Sequence, residues 1–289
     1  MFVDALVIGT LRRKGKNIDR EFAEMSLART WWDSLHQGGP AGSGDLGEDE
    51  LSSRSHELTA GFIQSLAPLV ISGRPEISLL KCEYGESAYR DALYTELGID
   101  CPEEVRRAVR KRKAEYLAGR YLGELLLRRN GLRSSITIGR HRQPLWPKGW
   151  VGSITHTDNR AISCIADAGQ VGLLGVDLER WLSDRVAEDI SATLINSRED
   201  QVLQGSWTRA RALTLIFSAK ESFFKAVYPA VGYYFDFDCV ELVELDWAGG
   251  TLVLRAVKTL SALVAKGDVF HARFSEFPDE VLTILAGER

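Results

Sequence analysis

The sequence predicts an α+β fold, and two observations lead to this prediction. Each half of the chain contains several short strand-like segments and one long segment in which apolar residues recur at helical spacing. With 289 residues, of which 45% are hydrophobic, the chain can bury one large core or two modest ones. We therefore expect each half to form a sheet with one long helix packed across it.

The first 75 residues have the weakest pattern. Residues 2–11 are predicted to form a strand, and residues 22–35 and 53–66 are predicted to form helices. Residues 38–47 are rich in glycine, which is typical of a loop. This loop is either a lid over a site or a tolerated insertion, and the insertion is the simpler interpretation.

A clearer pattern begins at the strand predicted for residues 77–84. A helix is expected over residues 100–129, because Asn130-Gly131 is a stop signal. The first part of this helix is strongly basic, which is typical of a solvated face. A short strand at 136–138 and a hairpin that turns at 158–159 complete the first half.

The second half is predicted to begin with a strand near Val171. Its longest helical pattern covers residues 208–228, and Pro229 is expected to end it, because proline cannot continue a helix. The other predicted elements are a helix from Ser197 and strands at residues 240–245, 251–257, 269–274 and 281–285.

The long helix carries the motif Phe217-Ser218-Ala219-Lys220-Glu221-Ser222-Phe223-Phe224-Lys225. Glu221 and Lys225 are four residues apart and share one helical face. A surface ion pair is the simplest interpretation of this spacing. However, Leu213 and Phe217 lie on the same row of the helix, so the charged pair continues an apolar row. This context favours a carboxylate and an ammonium that point into a site.

Two strand ends also carry polar side chains. Asp177 and Glu179 close the apolar segment that starts at Val171, and residues two apart on a strand share a face. Paired carboxylates suit a hard divalent cation such as Mg²⁺, although a solvated strand end is the simpler alternative. A second strand, within Gly152-Ser153-Ile154-Thr155-His156-Thr157, ends in a hydroxyl and an imidazole.

These motifs together resemble the 4′-phosphopantetheinyl transferases, which move the phosphopantetheine arm of coenzyme A onto a serine of a carrier protein. Gly175-Val176-Asp177-Leu178-Glu179, followed by the helix motif 217–225, is similar to the family's two signature motifs. Pro144-Leu145-Trp146-Pro147, followed by the 152–157 segment, is similar to its Pro-x-x-Pro and (Ser/Thr)-His-(Ser/Thr) motif. Lys113-Ala114-Glu115-Tyr116-Leu117-Ala118-Gly119-Arg120 resembles the helix motif of the enterobactin-synthase branch.

The resemblance implies a pseudo-twofold fold with two similar lobes, although the sequence itself contains no visible internal repeat. Residues 1–170 would form the N-terminal lobe on the nucleotide side. Residues 171–289 would form the C-terminal lobe, which carries the metal and the catalytic residues. The active site would lie in the cleft between the lobes, where ligand pockets commonly form.

The resemblance also implies roles for particular residues. Asp177, Glu179 and Glu221 would bind Mg²⁺, Glu221 would take the serine proton, and Lys225 would offset charge on the pyrophosphate of coenzyme A. The residues expected to contact coenzyme A are Arg112, Arg120, Arg142, Thr155, His156, Lys220 and Lys225. Arg112, Arg120 and His156, the last if a nearby phosphate protonates it, would hold the 3′-phosphate and adjacent phosphates, with a structural ion pair as the alternative for Arg120. Arg142 stands beside Gln143, where some relatives carry a lysine.

The expected partners follow from the resemblance and from composition. They are coenzyme A and apo acyl- or peptidyl-carrier domains, which would dock on the aromatic segments 223–228 and 233–235 unless those rings form the core. A net charge of −4 argues against a nucleic-acid partner, and the absence of a long apolar run argues against a membrane. Four scattered cysteines favour neither disulfides nor a zinc site.

The resemblance is to the single-chain surfactin and enterobactin-synthase branch. That branch is monomeric and serves secondary metabolism, including siderophore biosynthesis, so a monomer in the cytoplasm is expected. Two alternatives remain open. One is a metal-dependent nuclease, because Asp, Glu and Lys around a sheet also describe many nucleases. The other is a carrier-binding module without catalysis, although all three carboxylates and Lys225 are present.

Overall fold

Two antiparallel sheets, each covered by one long helix, form the fold of this protein. The structure is a computed structural model that describes residues 48–204 and 207–288. The strand predicted for residues 2–11, the helix for 22–35 and the Gly-rich loop at 38–47 lie outside the described residues. The arrangement confirms the predicted α+β class with one long helix on each sheet.

The first sheet has the strand order β1-β2-β6-β5, and the second has the order β7-β11-β10-β9-β8. A two-residue hairpin, β3 with β4, stands apart from both sheets. The strands are β1 (Ile63–Leu69), β2 (Ser78–Tyr84), β3 (Thr137–Ile138), β4 (Pro144–Leu145), β5 (Trp150–His156), β6 (Arg160–Asp167), β7 (Leu173–Arg180), β8 (Val240–Asp246), β9 (Thr251–Ala256), β10 (Val269–Glu276) and β11 (Glu280–Gly287).

Seven α-helices occur in the described part of the chain. They are α1 (Glu48–Leu58), α2 (Ala92–Leu97), α3 (Glu103–Arg106), α4 (Arg110–Arg129), α5 (Asp184–Leu194), α6 (Ser197–Val202) and α7 (Arg209–Val231). Helix α4 packs on the first sheet and α7 on the second. None of the described helices combines the length and apolar character needed to cross a bilayer.

The predicted strands of the second half are confirmed, as are the hairpin that turns at 158–159 and the helix from Ser197. Helix α5 was not predicted. Ser183, whose hydroxyl accepts a hydrogen bond from the Val186 amide at 3.4 Å, is the capping signal that marks its start.

Three predicted helices have different bounds in the structure. The helix predicted for residues 53–66 ends at Leu58, and the chain turns at Ala60 and Gly61, which have φ of 49° and 79°. The following residues form β1 and pair with β2, so strand pairing overrides the local helical spacing.

The basic helix predicted for residues 100–129 is divided into α3 and α4. Val109, between them, has the extended φ and ψ of −64° and 156°. Arg110 then begins α4 and donates to the carbonyl oxygens of Glu86 at 2.9 Å and Ser87 at 3.1 Å. This arginine satisfies the backbone of a neighbouring turn and is not a freely solvated cation.

Pro229 does not end the longest helix, which continues to Val231. A proline in the last turn removes only one backbone hydrogen bond, so the helix can pass through it. Gly232, with φ of 76°, ends the helix in the left-handed conformation.

An apolar layer joins the two sheets. Alternation along β7 directs Val176 and Leu178 toward this layer and directs Asp177 toward α7. The layer combines residues of the first sheet, such as Leu79 and Ile162, with residues of the second, such as Leu282 and Ile284. The order of layers is therefore α4, first sheet, second sheet, α7.

Candidate active site

A buried ion pair lies where β7 meets α7. Asp177 is 3% exposed, and the Lys225 ammonium donates to its Oδ1 at 2.5 Å and to the Val176 carbonyl at 3.1 Å. Burial opposes the charge of Lys225, but Asp177 and Glu221 outweigh it and raise the pKa of the lysine. Lys225 therefore remains charged and neutralises this group of carboxylates.

Glycine at position 175 brings the helix close to the strand. A Cβ at Gly175 would lie 1.9 Å from the Ser222 carbonyl oxygen, so no larger residue fits there. Ser222 also donates to the Thr283 carbonyl oxygen at 3.1 Å, and Ser218 lies 2.8 Å from the Thr283 hydroxyl. These contacts fix α7 against β7 and β11 and thus place Glu221 and Lys225.

Thr155 of β5 reaches the same carboxylate from the other lobe. Its hydroxyl accepts from the Leu178 amide at 3.2 Å and donates to Asp177 Oδ1 at 3.2 Å. A hydroxyl has a single proton to donate. In this arrangement its proton is directed to Asp177, and the expected contact of Thr155 with coenzyme A stays a prediction.

His156, the next residue, belongs to a cluster with Arg112 and Glu115. Its Nε2 lies 3.1 Å from Arg112 Nη1, and its Nδ1 lies 3.9 Å from Glu115 Oε2. Burial and the nearby Arg112 hold the pKa of His156 well below its usual range. The imidazole is therefore neutral and accepts from Arg112 in this arrangement.

Arg120 lies two helical turns beyond Arg112 on α4 and is 4% exposed. Its guanidinium lies over the Tyr116 ring at 4.9 Å, and burial lowers its pKa. Its Nη1 is buried and makes no hydrogen bond within the described residues. A buried donor of this kind is suited to an anion that the chain itself does not provide.

Lys220 has a different environment from Lys225. It is 1% exposed, forms a 2.7 Å ion pair with Glu199, and donates to the Leu194 and Phe237 carbonyl oxygens. Its ammonium is thus enclosed by the core of the C-terminal lobe. Its donors are directed to protein oxygens, which supports a role in positioning the helix, and the expected contact of Lys220 with coenzyme A stays a prediction.

Arg142 lies at the tip of the β3–β4 hairpin, with φ of 67° and its Nε 3.6 Å from Glu104 Oε2. The same tip bridges the lobes, which the sequence did not indicate. His141 Nδ1 hydrogen-bonds the Tyr228 hydroxyl of α7, and Tyr234 donates to the His141 carbonyl oxygen at 3.3 Å. The hairpin therefore brings Arg142 to the end of α7 that carries Lys225.

The carboxylates expected to bind Mg²⁺ lie on neighbouring elements. Glu221 is 2% exposed on α7, and Glu179 is partly exposed on β7. Within residues 48–204 and 207–288, no three His, Cys, Asp or Glu side chains are grouped as a ready-made metal site. Lys225 supplies a counter-charge to this group through its ion pair with Asp177.

The donor set nevertheless fits Mg²⁺. Asp177 Oδ2 is buried and makes no hydrogen bond to any described group. Glu221 is also buried and, like Asp177, acts on the charge of Lys225, and carboxylate oxygens are the ligands that Mg²⁺ prefers.

The aromatic segments differ in exposure. Phe223 is fully buried and Tyr228 is 4% exposed, while Phe235 packs against the same core. Tyr233 and Tyr234 are 48% and 47% exposed. The two tyrosines beyond the helix are thus the most exposed rings of these segments, and they are called the tyrosine pair below.

Comparisons with known proteins cover most of the described chain. Residues 102–166 match the family model for the 4′-phosphopantetheinyl transferase N-terminal domain. Residues 173–281 match the model for the 4′-phosphopantetheinyl transferase superfamily. The two matches lie on the two sides of the site described above.

Two curated relatives are similar over most of their own length. Enterobactin synthase component D of Salmonella typhi is 45% identical over 64% of this chain and 76% of the relative. The 4′-phosphopantetheinyl transferase Svp of Streptomyces mobaraensis is 36% identical over 70% of this chain and 84% of the relative.

A solved structure, holo-(acyl-carrier-protein) synthase of Thermotoga maritima, aligns with 41% of this chain and 65% of its own chain. Its identity is 21% and its TM-score is 0.32, which is too low to bear on the fold.

The buried pair of Lys220 and Glu199 predicts a stability effect. Lys220→Met leaves Glu199 buried without its cation. We therefore expect the free energy of unfolding, measured by urea denaturation, to fall by about 3–5 kcal/mol. The double variant with Glu199→Gln should recover part of this loss, because no charge is then buried alone. A variant of unchanged stability that binds coenzyme A more weakly would instead support the ligand-binding role of Lys220.

Proposed function

The chain belongs to the 4′-phosphopantetheinyl transferase superfamily, and from this premise we propose that it transfers the phosphopantetheine arm of coenzyme A to a carrier-protein serine. Adenosine 3′,5′-bisphosphate is the other product. The observation that most directly supports this proposal is the meeting of both lobes at Asp177. There, β7 and α7 contribute Asp177, Glu221 and Lys225, and β5 contributes Thr155.

The reaction requires one proton transfer and one phosphoryl transfer. The serine hydroxyl oxygen forms a bond to the phosphorus that carries pantetheine. The bond between that phosphorus and the bridging oxygen of the pyrophosphate breaks, and the oxygen leaves with the nucleotide. Glu221 is the carboxylate proposed to take the serine proton. Catalysis of phosphoryl transfer relies mainly on positioning and charge neutralisation. The ammonium of Lys225 supplies positive charge beside the carboxylates for this purpose.

Asp177, Glu221 and Glu179 are the residues proposed to hold Mg²⁺. When bound, the cation supplies Lewis-acid neutralisation of charge on the pyrophosphate. The buried, unbonded Oδ2 of Asp177 supports this assignment, and so does the burial of Glu221.

Arg112, Arg120 and His156 are proposed to bind the nucleotide phosphates. Arginine suits phosphate because its planar guanidinium donates two parallel hydrogen bonds. The buried Nη1 of Arg120 and the buried Nε of Arg112 have no hydrogen-bond partner among the described residues. The neutral ring of His156 lies beside this pair, and its hydrogen bond with Arg112 fixes its orientation. Arg142, on the exposed hairpin tip, is proposed to contact the adenine side.

Mass spectrometry of an apo carrier domain tests the reaction. Incubation with coenzyme A and Mg²⁺ should add one phosphopantetheine to the carrier. Asp177→Asn and Glu221→Gln should lower the rate by about 10²-fold or more, because each removes charge from the reacting centre. Excess chelator should stop transfer by the wild type.

The exposed Glu244 on β8 offers a matched control, and Glu244→Gln should leave the rate unchanged. Thermal melting should show that every variant is folded. Full activity of Glu221→Gln, or of the wild type in chelator, would contradict the assignment. A carrier whose mass never changes, although it binds, would instead indicate a binding module without catalysis.

Discrimination between coenzyme A and dephospho-coenzyme A tests the nucleotide site. The wild type should prefer coenzyme A, and Arg120→Ala should lose about tenfold or more of this preference, because a charge-assisted hydrogen bond to the 3′-phosphate is removed. The control is Arg128→Ala, on the same helix but partly exposed and paired with Glu124 at 3.1 Å. An equal loss of kcat/KM on both substrates would assign Arg120 a structural role.

The tyrosine pair is proposed as part of the carrier-docking surface. Tyr233→Ala should raise the apparent KM for the carrier about fivefold and leave the KM for coenzyme A unchanged, since its ring is exposed just beyond the end of α7. Phe235→Ala is the contrasting variant. Its ring packs against Phe223 and Phe224, so its loss should lower stability instead. A parallel rise of both KM values for Tyr233→Ala would remove this surface from the proposal.

A further inference from the structure

The carboxylate of Asp177 is fixed at one oxygen by donors from both lobes. Its Oδ1 accepts from Lys225 Nζ at 2.5 Å and from the Thr155 hydroxyl at 3.2 Å. Its Oδ2 is buried and accepts no hydrogen bond from the described residues. The two oxygens of one carboxylate are therefore not equivalent.

The direction of the hydrogen bond between Thr155 and Asp177 follows from the single proton of the Thr155 hydroxyl. The Leu178 amide donates into the hydroxyl at 3.2 Å, so the hydroxyl acts as acceptor in that contact. An ionised carboxylate can only accept, so the single hydroxyl proton is directed to Asp177. Thr155 is 4% exposed, which keeps water from competing for this proton.

We propose that Thr155 is a positioning residue, which holds Asp177 so that Oδ2 is the oxygen left to bind the divalent cation. This inference rests on the proposed function, because it concerns the same metal site. Outer partners of metal-binding carboxylates orient the ligand and tune its affinity. Thr155 has this relation to Asp177, although the two residues belong to different sheets.

The same hydroxyl links the nucleotide side to the metal side. Thr155 precedes His156, which contacts Arg112 at 3.1 Å. A displacement of β5 relative to β7 would therefore move the cluster around His156 and release Asp177 together. The Thr155 hydroxyl is thus the particular contact through which β5 reaches the carboxylate of Asp177.

Ser153 provides a matched control for the contact between the lobes. Its hydroxyl accepts from the Val176 amide at 3.0 Å, as the Thr155 hydroxyl accepts from the Leu178 amide. Its hydroxyl makes no recorded hydrogen bond to Asp177. Ser153→Ala consequently removes an inter-lobe hydrogen bond of the same kind and leaves the carboxylate with both of its donors.

The test compares Thr155→Val, Thr155→Ser and Ser153→Ala in the full chain. The affinity for Mn²⁺ alone, measured by electron paramagnetic resonance, serves as a readout that does not depend on turnover. Thr155→Val should weaken Mn²⁺ binding about 10- to 100-fold. Thr155→Ser keeps the hydroxyl and should bind within about threefold of wild type, as should Ser153→Ala. The metal dependence of carrier modification should follow the same order.

Equal weakening in Thr155→Val and Ser153→Ala would overturn the inference, because it would show a general effect of lobe alignment. Unchanged binding in Thr155→Val would overturn it as well. If Thr155→Val fails to fold by thermal melting, Thr155→Ala takes its place, and failure of both would assign Thr155 to the fold alone. A wild-type chain that binds no Mn²⁺ would instead reject the proposed metal site itself, and the role of Thr155 with it.

Discussion

The buried pair of Asp177 and Lys225 is the interaction on which the rest of the site depends. A carboxylate with 3% exposure is costly unless a cation and further hydrogen bonds accompany it. Lys225 can reach Asp177 only if α7 lies close to β7, and Gly175 permits that approach. The hydroxyls of Ser218 and Ser222 then hold the helix to Thr283 of the neighbouring strand. The same contacts that pack α7 on the second sheet therefore also place Lys225 beside Asp177.

Besides the apolar layer, the two lobes also meet at sheet edges that do not pair as a backbone ladder. Strand β5 is the edge of the first sheet, and β7 is the edge of the second. Side-chain hydroxyls of Ser153 and Thr155 accept the amide hydrogens of β7 in place of backbone carbonyls. At the rim, Arg160 of β6 donates to Glu280 at 2.8 Å and to Asp279 at 3.2 Å, which lie in the other lobe. Side-chain hydrogen bonds at this boundary therefore fix how the two sheets align. Substitution of these side chains should consequently also affect the site.

Lys220 and Lys225 show how one helix gives the same residue type two different environments. Five residues along an α-helix correspond to a rotation of about 140°, so the two ammonium groups leave α7 on different sides. One meets Glu199 in the core, where burial lowers its pKa, and the other meets Asp177, where three carboxylates raise its pKa. Spacing alone did not distinguish these environments, because they depend on which elements pack on each side of the helix.

Much of this protein was determined by its sequence. The alternation of Val176, Asp177 and Leu178 places the carboxylate on one face of a strand, and the four-residue spacing of Glu221 and Lys225 places both on one face of a helix. Local periodicity is sufficient for these features, because it depends only on backbone geometry. The motifs also identified the family that the comparisons show. Only the tertiary structure decided that Thr155 donates to Asp177, that His156 is neutral beside Arg112, and that the chain forms a strand at Ile63–Leu69. The physical reason is that hydrogen-bond direction, pKa and strand pairing depend on groups distant in the chain, and only folding brings those groups together.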